Sequence, residues 1–412
     1  MKFRWEMEFK ETEIGEIPKD WEVKKINEIG EIGGGSTPST KVKDYWDGDI
    51  PWITPKDLAN HGSRFISCGE RNITRKAVIE NSLKLYPNGT ILLTSRAPIG
   101  YVAIIKNPVT TNQGFKNIAP KEGTNSEFLY YLLINISEYL KDISGGSTFE
   151  ELTKEILKDV LIPFPPLPEQ SRIATVLSWF DDLIEVKRRQ NEILEKTAMA
   201  IFKSWFIDFE PFRACPEQER GNYEFVYNEE LGKEIPKGWE VKKIGDVVKF
   251  IYGEGLPERN RKEGIYPVVG SSGIVGFHSE YIAEPPTIII GRKGNAGSVQ
   301  LFLENSYPID TVFYSSKHTA PEVIFYIYHF LKIISLEDMA LTDTAVPGLN
   351  IHMLNSLIIF IPPPHILQSF HSLIEPLFQK IILNQKQIMT LRKIRDTLLP
   401  LLVFGKLRVE EI

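Results

Sequence analysis

An eleven-residue segment that occurs twice constrains the fold more than any other feature of this 412-residue sequence. EIPKDWEVKKI occupies residues 16–26 and EIPKGWEVKKI occupies residues 234–244, so only one position differs. The units of solenoid proteins repeat every ~20–50 residues. The two copies here begin at positions 16 and 234, and this long spacing predicts a duplicated domain pair.

Later segments match in the same order. LIPFPPLPEQ at 161–170 corresponds to IFIPPPHILQ at 359–368, and the segments around Arg96 and Arg292 also align. The offset between the copies is shorter at these arginines than at the opening motif. We therefore expect roughly twenty additional residues in the first copy, upstream of Arg96 and including residues 63–77.

Each copy alternates short apolar segments with Gly and Pro, which is typical of strands and turns. Strands are predicted at 89–95, 100–105, 286–291 and 298–303, and one helix per copy at 127–143 and 320–334. The predicted fold class is α+β. It comprises two mixed modules of strands and short helices, joined and separated by two long helices that form an antiparallel coiled coil with an internal pseudo-two-fold repeat. The four predicted segments are a first module (1–160), a first long helix (161–207), a linker with the second module (208–363) and a second long helix (364–412).

The two long helices are predicted from apolar residues at three-four spacing without internal glycine. Each would contain ~35 residues and measure about 50 Å. Pro376 lies inside the second helix, where proline favours a kink. The residues predicted to form the helix–helix seam are Ile173, Leu177, Phe180, Ile184, Leu194, Ile201, Phe370, Ile374, Leu377, Ile381, Ile388 and Leu391.

The middle of each predicted seam is polar. Lys187 and Gln190 interrupt the first helix, and Asn384 and Gln387 interrupt the second. Two interpretations remain open at this stage. The residues form either a solvated patch or a buried polar layer that fixes the register of the helices.

Composition narrows the class of protein. The net charge is −6, which weighs mildly against nucleic acid as a partner. Cys68 and Cys215 lie in no zinc or disulfide pattern. No apolar segment reaches the ~20 residues of a membrane span, and the N-terminus lacks a signal-peptide core, so we expect a cytoplasmic protein without a membrane partner.

Motifs of common enzymes are missing from the sequence. It contains no HExxH, GxSxG or NPPY-type tetrapeptide, and no GxGxxG after a predicted strand. A nuclease with scattered carboxylates and a scaffold without a role on DNA remain as alternatives to a DNA-recognition protein. No catalytic residue and no metal site are predicted.

The ordered series of motifs resembles the specificity subunit of type I restriction–modification systems over nearly the whole chain. The segments that carry the resemblance are GGSTPSTKVKDYWDGDIPWITPKDL (34–58), TSRAPIG (94–100), TTNQGFKNIAP (110–120), GGSTFEEL (145–152), IPFPPLPEQSRIATVL (162–177), YPVVGSSGIVGF (266–277), GRKGNAGSV (291–299) and PPPHILQ (362–368).

The resemblance implies that each module is a target recognition domain for one half of a bipartite site in double-stranded DNA. It further implies that the helices set the gap and dock two methyltransferase subunits, and that restriction subunits join through the complex. The chain itself would be non-catalytic and hold no cofactor. S-adenosylmethionine, ATP and magnesium are then expected only in the partner subunits.

Candidate DNA contacts follow from residue chemistry, because Lys and Arg bind phosphates while Arg, Lys, Asn and Gln read base edges. They occupy basic loops, a matched pair of arginines and one polar loop. The candidates are Lys41, Lys43, Arg71, Asn72, Arg75, Lys76, Arg96, Asn112, Gln113, Lys116, Arg259, Asn260, Arg261, Lys262, His278, Arg292 and Lys293.

Each candidate has a structural alternative. The basic loops could simply be solvated, and Arg96 and Arg292 could be buried structural residues. The aromatic residues Tyr45, Trp46 and Trp52 could stack on bases, although core packing is the more common role. The basic loops of the two modules differ, so we expect an asymmetric site with half-sites about one helical turn of DNA, ~34–36 Å, apart.

Overall fold

The computed structural model describes residues 2–5, 7–96, 98–145, 151–213, 223–316, 319–334, 336–341 and 348–411. Cys215 and residues 146–150 of the GGSTFEEL motif lie outside the described residues. The chain divides into two compact units. Unit 1 combines Met1–Lys187 with Lys386–Ile412, and unit 2 comprises Arg188–Gln385.

Short strands form the sheets of both units. In chain order they are β1 (Lys2–Arg4), β2 (Phe9–Lys10), β3 (Ile17–Pro18), β4 (Glu22–Lys25), β5 (Gly30–Gly34), β6 (Trp46–Ile53), β7 (Phe65–Ile66), β8 (Arg71–Ile73), β9 (Ile91–Ser95), β10 (Ile99–Ile105), β11 (Thr110–Thr111), β12 (Lys116–Pro120), β13 (Leu161–Phe164), β14 (Phe225–Asn228), β15 (Lys233–Pro236), β16 (Glu240–Lys243), β17 (Phe250–Tyr252), β18 (Tyr266–Gly270), β19 (Gly273–His278), β20 (Thr287–Gly291), β21 (Val299–Phe302), β22 (Tyr307–Pro308), β23 (Val312–Ser315), β24 (Ile358–Ile361) and β25 (Arg408–Glu411). The four strands expected around residues 89–105 and 286–303 are confirmed as β9, β10, β20 and β21.

Two helices are much longer than the others. The helices are α1 (Ile26–Ile29), α2 (Pro55–His61), α3 (Arg75–Glu80), α4 (Ser126–Asn135), α5 (Ser137–Asp142), α6 (Lys154–Asp159), α7 (Leu167–Phe206), α8 (Ile244–Val247), α9 (Pro321–Ile333), α10 (Leu336–Leu341), α11 (Ile351–Ser356) and α12 (Pro364–Val403). The helix expected at 320–334 is confirmed as α9. The one expected at 127–143 is divided into α4 and α5 at Ile136.

Unit 1 contains a larger and a smaller sheet. The larger has the strand order β5-β12-β9-β10-β7, and the smaller has the order β11-β6-β8. Helices α4 and α5 pack on β10 of the larger sheet. Unit 2 repeats this arrangement with a four-stranded sheet, β17-β23-β20-β21, and a three-stranded sheet, β19-β18-β22.

The duplicated eleven-residue motif forms the same structure in both units. Each copy gives two short strands, a buried tryptophan and a one-turn helix: β3, β4 and α1 in unit 1, and β15, β16 and α8 in unit 2. Strand β4 pairs with β13, and β16 pairs with β24. Because β13 and β24 directly precede the long helices, the motif ties each module to the start of a long helix.

The additional residues of the first module lie on both sides of β8. Helix α2 and β7 separate β6 from β8, whereas a tight hairpin joins the corresponding β18 to β19; α3 then follows β8. We expected residues 63–77 to form one unmatched insertion. That expectation was wrong for Arg71–Ile73, because this strand has a structural counterpart in β19.

Both long helices contain 40 residues, and α12 continues through Pro376. Within unit 1, Ile173, Leu177 and Ile184 of α7 are buried, and Leu399 and Leu402 of α12 belong to the same core as the first two. Within unit 2, Phe202 near the end of α7 packs on Phe370 near the start of α12, with the ring centroids 5.9 Å apart. The helices are therefore antiparallel within each unit.

The predicted seam residues all face apolar cores or are at least half-buried. Phe370, Ile374, Ile381 and Ile388 are buried, whereas Phe180, Leu194, Ile201, Leu377 and Leu391 are half-buried.

Of the four central polar residues, Asn384 is fully buried, Lys187 and Gln387 are half-buried and Gln190 is exposed, so the buried-layer interpretation holds for Asn384 alone. Its side-chain nitrogen donates to Asn191 Oδ1 (2.8 Å) and to Gln190 Oε1 (3.3 Å), all within unit 2. A buried amide of this kind penalises other registers, because a shifted pairing would leave it without partners.

The four predicted segments differ from the compact units. The unit boundaries fall inside both long helices, because each unit packs one half of α7 against the opposite half of α12. The second long helix also ends before residue 412. Gly405 adopts φ +68°, its N–H donates to Leu402 O, and the chain then forms β25, which pairs with β1. The predicted linker after residue 208 ends in β14, which pairs with β15.

Candidate nucleic-acid interface

Two tryptophans anchor the STPSTKVK loop (residues 36–43) of the first module. Trp52 Nε1 donates to Ser36 O (3.0 Å) and Trp46 Nε1 donates to Ser39 O (3.2 Å). The two rings form an edge-to-face pair with centroids 5.1 Å apart, and both are buried. These tryptophans therefore pack in a core rather than stack on bases, and they hold the loop that presents Lys41 and Lys43 to solvent.

Strand β8 and helix α3 lie beside this loop. The guanidinium of Arg71 stacks over the Trp46 ring at 3.5 Å. Thr74 N–H donates to Tyr45 O (3.0 Å), and Lys76 forms an ion pair with Asp44 (3.1 Å). The structure thus brings Lys43, Arg71 and Lys76 into one exposed basic surface, with Arg75 exposed beside them and Asn72 half-buried.

The polar loop at residues 112–116 joins the same region. Thr37 Oγ1 donates to Gln113 Oε1 (2.6 Å), which connects this loop to the STPSTKVK loop. Asn112 Oδ1 accepts from Gly114 N–H (2.9 Å) and shapes the turn. Ser95 N–H donates to Gly114 O (2.8 Å), so the half-buried Arg96 follows directly beside the loop.

Lys116 does not belong to the accessible surface. Its ammonium group lies 3.0 Å from Glu151 and 3.2 Å from Ser95 Oγ, and its side chain is only 13% exposed. A lysine paired in this way stabilises the module. Its prediction as a DNA contact is corrected, because residue type alone does not reveal burial.

In the second module the RNRK segment (residues 259–262) precedes β18, just as the STPSTKVK loop precedes β6 in the first module. Arg259 and Asn260 are exposed on a single 3-10 turn. Arg261 Nη1 donates to Val275 O (2.6 Å) on β19, and its Nε is buried without a hydrogen-bond partner. Lys262 lies 3.7 Å from Glu280.

His278 is buried inside the second module. Only 4% of it is exposed, and its Nδ1 accepts from Lys262 N–H (2.9 Å). This histidine fixes the RNRK segment against β19. Its prediction as a direct DNA contact is corrected for the same reason as that of Lys116.

In the second module Arg292, which matches Arg96, is held by contacts within that module. Arg292 Nη1 donates to Asp310 O (3.0 Å), and the guanidinium lies 5.0 Å from the Tyr252 ring. Arg292 is half-buried and Lys293 is exposed. Among the described residues, the contacts of the Arg292 guanidinium are a carbonyl and a ring, which do not neutralise its positive charge.

Sequence reasoning did not find a buried ionic cluster that joins the first module to its long helices. Arg64, 8% exposed, donates to Tyr131 Oη (3.0 Å) and to Asp182 (2.9 Å). Tyr131 donates in turn to Asp181 (2.7 Å), which also binds Arg395. Burial and the nearby Asp181 charge raise the pKa of Tyr131, so the phenol remains a hydrogen-bond donor.

Sequence reasoning also did not predict an apolar stripe on the solvent face of α7. Trp179, Leu183 and Val186 are exposed by 42%, 49% and 51%. Their i, i+4, i+7 spacing places them on one helix face. The sequence did contain an indication of this stripe, because these three apolar residues lie outside the predicted seam positions.

Two absences apply to the described part of the chain. It contains no helix long and apolar enough to cross a membrane. In the same residues no group of three or more His, Cys, Asp or Glu side chains could hold a metal ion.

Comparisons of the sequence with a family profile and with individual proteins indicate the same family. The family profile described as "Type I restriction modification DNA specificity domain" matches residues 18–196 and again 236–393. The type I restriction enzyme MjaIX specificity subunit of Methanocaldococcus jannaschii is 54% identical, with 100% of this chain and 99% of that protein aligned. The EcoprrI specificity subunit of Escherichia coli is 26% identical, with 82% of each chain aligned.

A solved structure is similar over almost the same extent. The S subunit of a type I restriction-modification system from M. genitalium covers 93% of this chain and 96% of its own length, with a TM-score of 0.55 and 18% identity. This likeness supports the fold described above.

Proposed function

Because the chain belongs to the family of type I restriction modification DNA specificity domains, we propose that it selects the DNA sequence on which a type I restriction–modification complex acts. Each module reads one half of a bipartite, asymmetric site in double-stranded DNA. The two long helices set the number of unread base pairs between the half-sites.

The observation that carries this proposal is the repeated placement of cationic side chains beside equivalent small sheets. In the first module the loop before β6 and the strand β8 present Lys41, Lys43 and Arg71. In the second module the loop before β18 presents Arg259 and Arg261 beside β19. Different side chains on the same framework suit two half-sites of different sequence.

The partners follow from the same proposal. Two methyltransferase subunits dock on the long helices, and restriction subunits join through the complex. Trp179, Leu183 and Val186 provide an exposed apolar surface of the kind that protein partners cover. This chain carries out no chemistry itself. S-adenosylmethionine, ATP and magnesium bind in the partner subunits.

A role in DNA binding is compatible with the acidic net charge of −6 when the partner subunits also contact the DNA. Binding to DNA strengthens with the number of phosphates that a protein neutralises. The isolated chain is therefore expected to bind DNA weakly, and the complex to bind it tightly.

The test is a methylation map. The chain is co-expressed with the methyltransferase encoded beside it in a host that lacks DNA methylation, and modified bases are mapped by long-read sequencing. We expect a two-part motif with an unread gap that disappears when this chain is omitted. An identical map without this chain, or no modification although the partner is active and bound, would contradict the proposal.

Exchange of modules sharpens this test. Residues 1–160 are replaced by the corresponding module of a relative with a different site, and the chimera is co-expressed as before. One half of the motif should change while the other half and the gap remain. A scaffold without a role in recognition would leave both halves as they were.

A further inference from the structure

The small sheets of the two modules can be aligned residue by residue. In unit 1 the parallel pairs are Thr110 with Trp52 and Thr111 with Ile53. In unit 2 they are Tyr307 with Val268 and Pro308 with Val269. Trp52 of β6 therefore corresponds to Val268 of β18.

The edge strands then align without further assumption. Arg71 of β8 lies opposite Trp52, and Gly276 of β19 lies opposite Val268. Two residues further along, Ile73 and His278 are both buried. This agreement in burial supports the alignment, so Arg71 and Gly276 occupy equivalent positions.

A guanidinium is present at this position in both modules, although it comes from different elements. A Cβ atom added at Gly276 would lie 2.7 Å from Arg261 Nη1, and Gly276 adopts φ +149°. The missing side chain leaves the space that the Arg261 guanidinium occupies. In the first module the strand residue Arg71 supplies the group, and in the second the preceding loop supplies it.

Both guanidinium groups are fixed without a carboxylate. Arg71 stacks on the Trp46 ring at 3.5 Å, and Arg261 donates to Val275 O at 2.6 Å. Within the described residues neither arginine forms an ion pair with Asp or Glu. Each therefore keeps its charge for a ligand, in a fork whose orientation is already set. Because Arg261 Nε is buried, the donors left to this residue are those of Nη1 and Nη2.

We propose that Arg71 and Arg261 are the equivalent specificity-determining residues of the two modules, each reading a guanine in its own half-site. This inference rests on the proposed function. A fixed guanidinium fork donates to guanine O6 and N7 together, which no other base edge in the major groove accepts in the same way. A phosphate contact would require only the charge.

The experiment compares variants in the complex with the co-expressed methyltransferase. Arg71→Ala, Arg71→Lys, Arg261→Lys and Gly276→Ala are tested, with Arg75→Ala and Arg259→Ala as controls in exposed neighbouring arginines. The relative methylation rates of a site library report the preference at every position of both half-sites. Wild-type protein establishes the motif first.

Arg71→Lys should reduce the preference for guanine at one position of one half-site by about ten- to hundred-fold. Arg261→Lys and Gly276→Ala should have this effect at one position of the other half-site. The two control variants should lower the rate on all sequences equally. Both arginine-to-lysine variants keep the positive charge, so a lost base preference identifies the fork as the reading group.

Two results would overturn the inference while the proposed function stands. One is an unchanged motif in the lysine variants. The other is an equal loss on every sequence, which would indicate a phosphate contact. A wild-type complex without any sequence motif would instead refute the proposed function, and the inference with it.

Discussion

His329 shows how one buried residue makes the stability of unit 2 depend on pH. The side chain is 1% exposed and stacks on Phe202, with the ring centroids 5.6 Å apart. Burial lowers the pKa of His329 to about 4, because the charged imidazolium is poorly solvated there.

As the pH falls, the unfolded chain takes up the proton at about 6.5, before the folded chain does. The stability that neutral His329 provides is therefore complete above pH ~6.5 and is lost progressively down to pH ~4. The linked change is about 3 kcal/mol.

His329→Phe should remove this part of the pH dependence, because a phenyl ring fits the same aromatic surroundings without titrating. The free energy of unfolding, measured by urea denaturation between pH 7 and 4, should fall less steeply for the variant. Exposed His365 offers a control, and His365→Phe should keep the wild-type slope. Parallel slopes for His329→Phe and wild type would contradict the prediction.

In the pair of long helices, equivalent positions of the two units carry side chains of different chemical type. When Leu177 is aligned with Ile374, Asp181 of unit 1 corresponds to Phe378 of unit 2. The same offset relates Arg395 to Ala198. Unit 1 thus joins its helices with an ion pair at a place where unit 2 uses buried apolar side chains.

A double-mutant cycle tests whether this pair acts as a unit. Arg395→Met leaves Asp181 with only the more distant Arg64, 4.0 Å away, and Asp181→Leu leaves Arg395 with only Asp396. Each single change should lower the free energy of unfolding by roughly 2–3 kcal/mol. The double change should cost at least ~1 kcal/mol less than their sum. Chemical denaturation followed by circular dichroism provides the four values, and strict additivity would show that the pair is not coupled.

The apolar stripe on α7 allows a prediction about assembly. Leu183→Glu places a charge in the centre of the exposed surface formed with Trp179 and Val186. If a methyltransferase subunit covers this surface, burial of the carboxylate should prevent co-purification of the two proteins. The melting temperature of the isolated chain should hardly change.

Leu85→Glu is the matched control, because Leu85 is exposed to a similar extent, 44%, in a loop. This variant should retain the partner. Retention of the methyltransferase by Leu183→Glu would place the docking surface elsewhere on the helices.

For the whole molecule, the duplication could be read from sequence because the eleven-residue motif repeats nearly letter by letter. The long helices followed from their three-four periodicity and from the absence of internal glycine. The end of α12 was misplaced, because the apolar pattern continues beyond Val403. The left-handed turn at Gly405 is what stops the helix.

The correspondence of Arg71 with Gly276 could not be read from sequence. RNI and GFH share no residue, and the register becomes visible only through the strand partners of Trp52 and Val268. Burial was also hidden, since Lys116 and His278 have the chemistry of a DNA contact. Residue type predicts what a side chain can bind, whereas the fold determines whether a ligand can reach it.

The proposal that the long helices act as a ruler applies to the whole molecule. Insertion of seven residues into α7 after Lys187 and of seven into α12 after Gln385 preserves the heptad phase of both helices. Each helix lengthens by about 10 Å, at 1.5 Å per residue. Since DNA rises 3.4 Å per base pair, the unread gap in the methylated motif should grow by about three base pairs.

Both half-sites should keep their sequences in this variant, because the insertions leave the small sheets of the two modules untouched. Insertion into α7 alone is the control. It would shift the two halves of α7 by two turns relative to each other without a matching shift in α12, so the seam could keep its register in only one of the two units. This change should abolish sequence-specific methylation. A gap of wild-type length in the doubly extended protein would mean that contacts other than the helices fix the spacing of the half-sites.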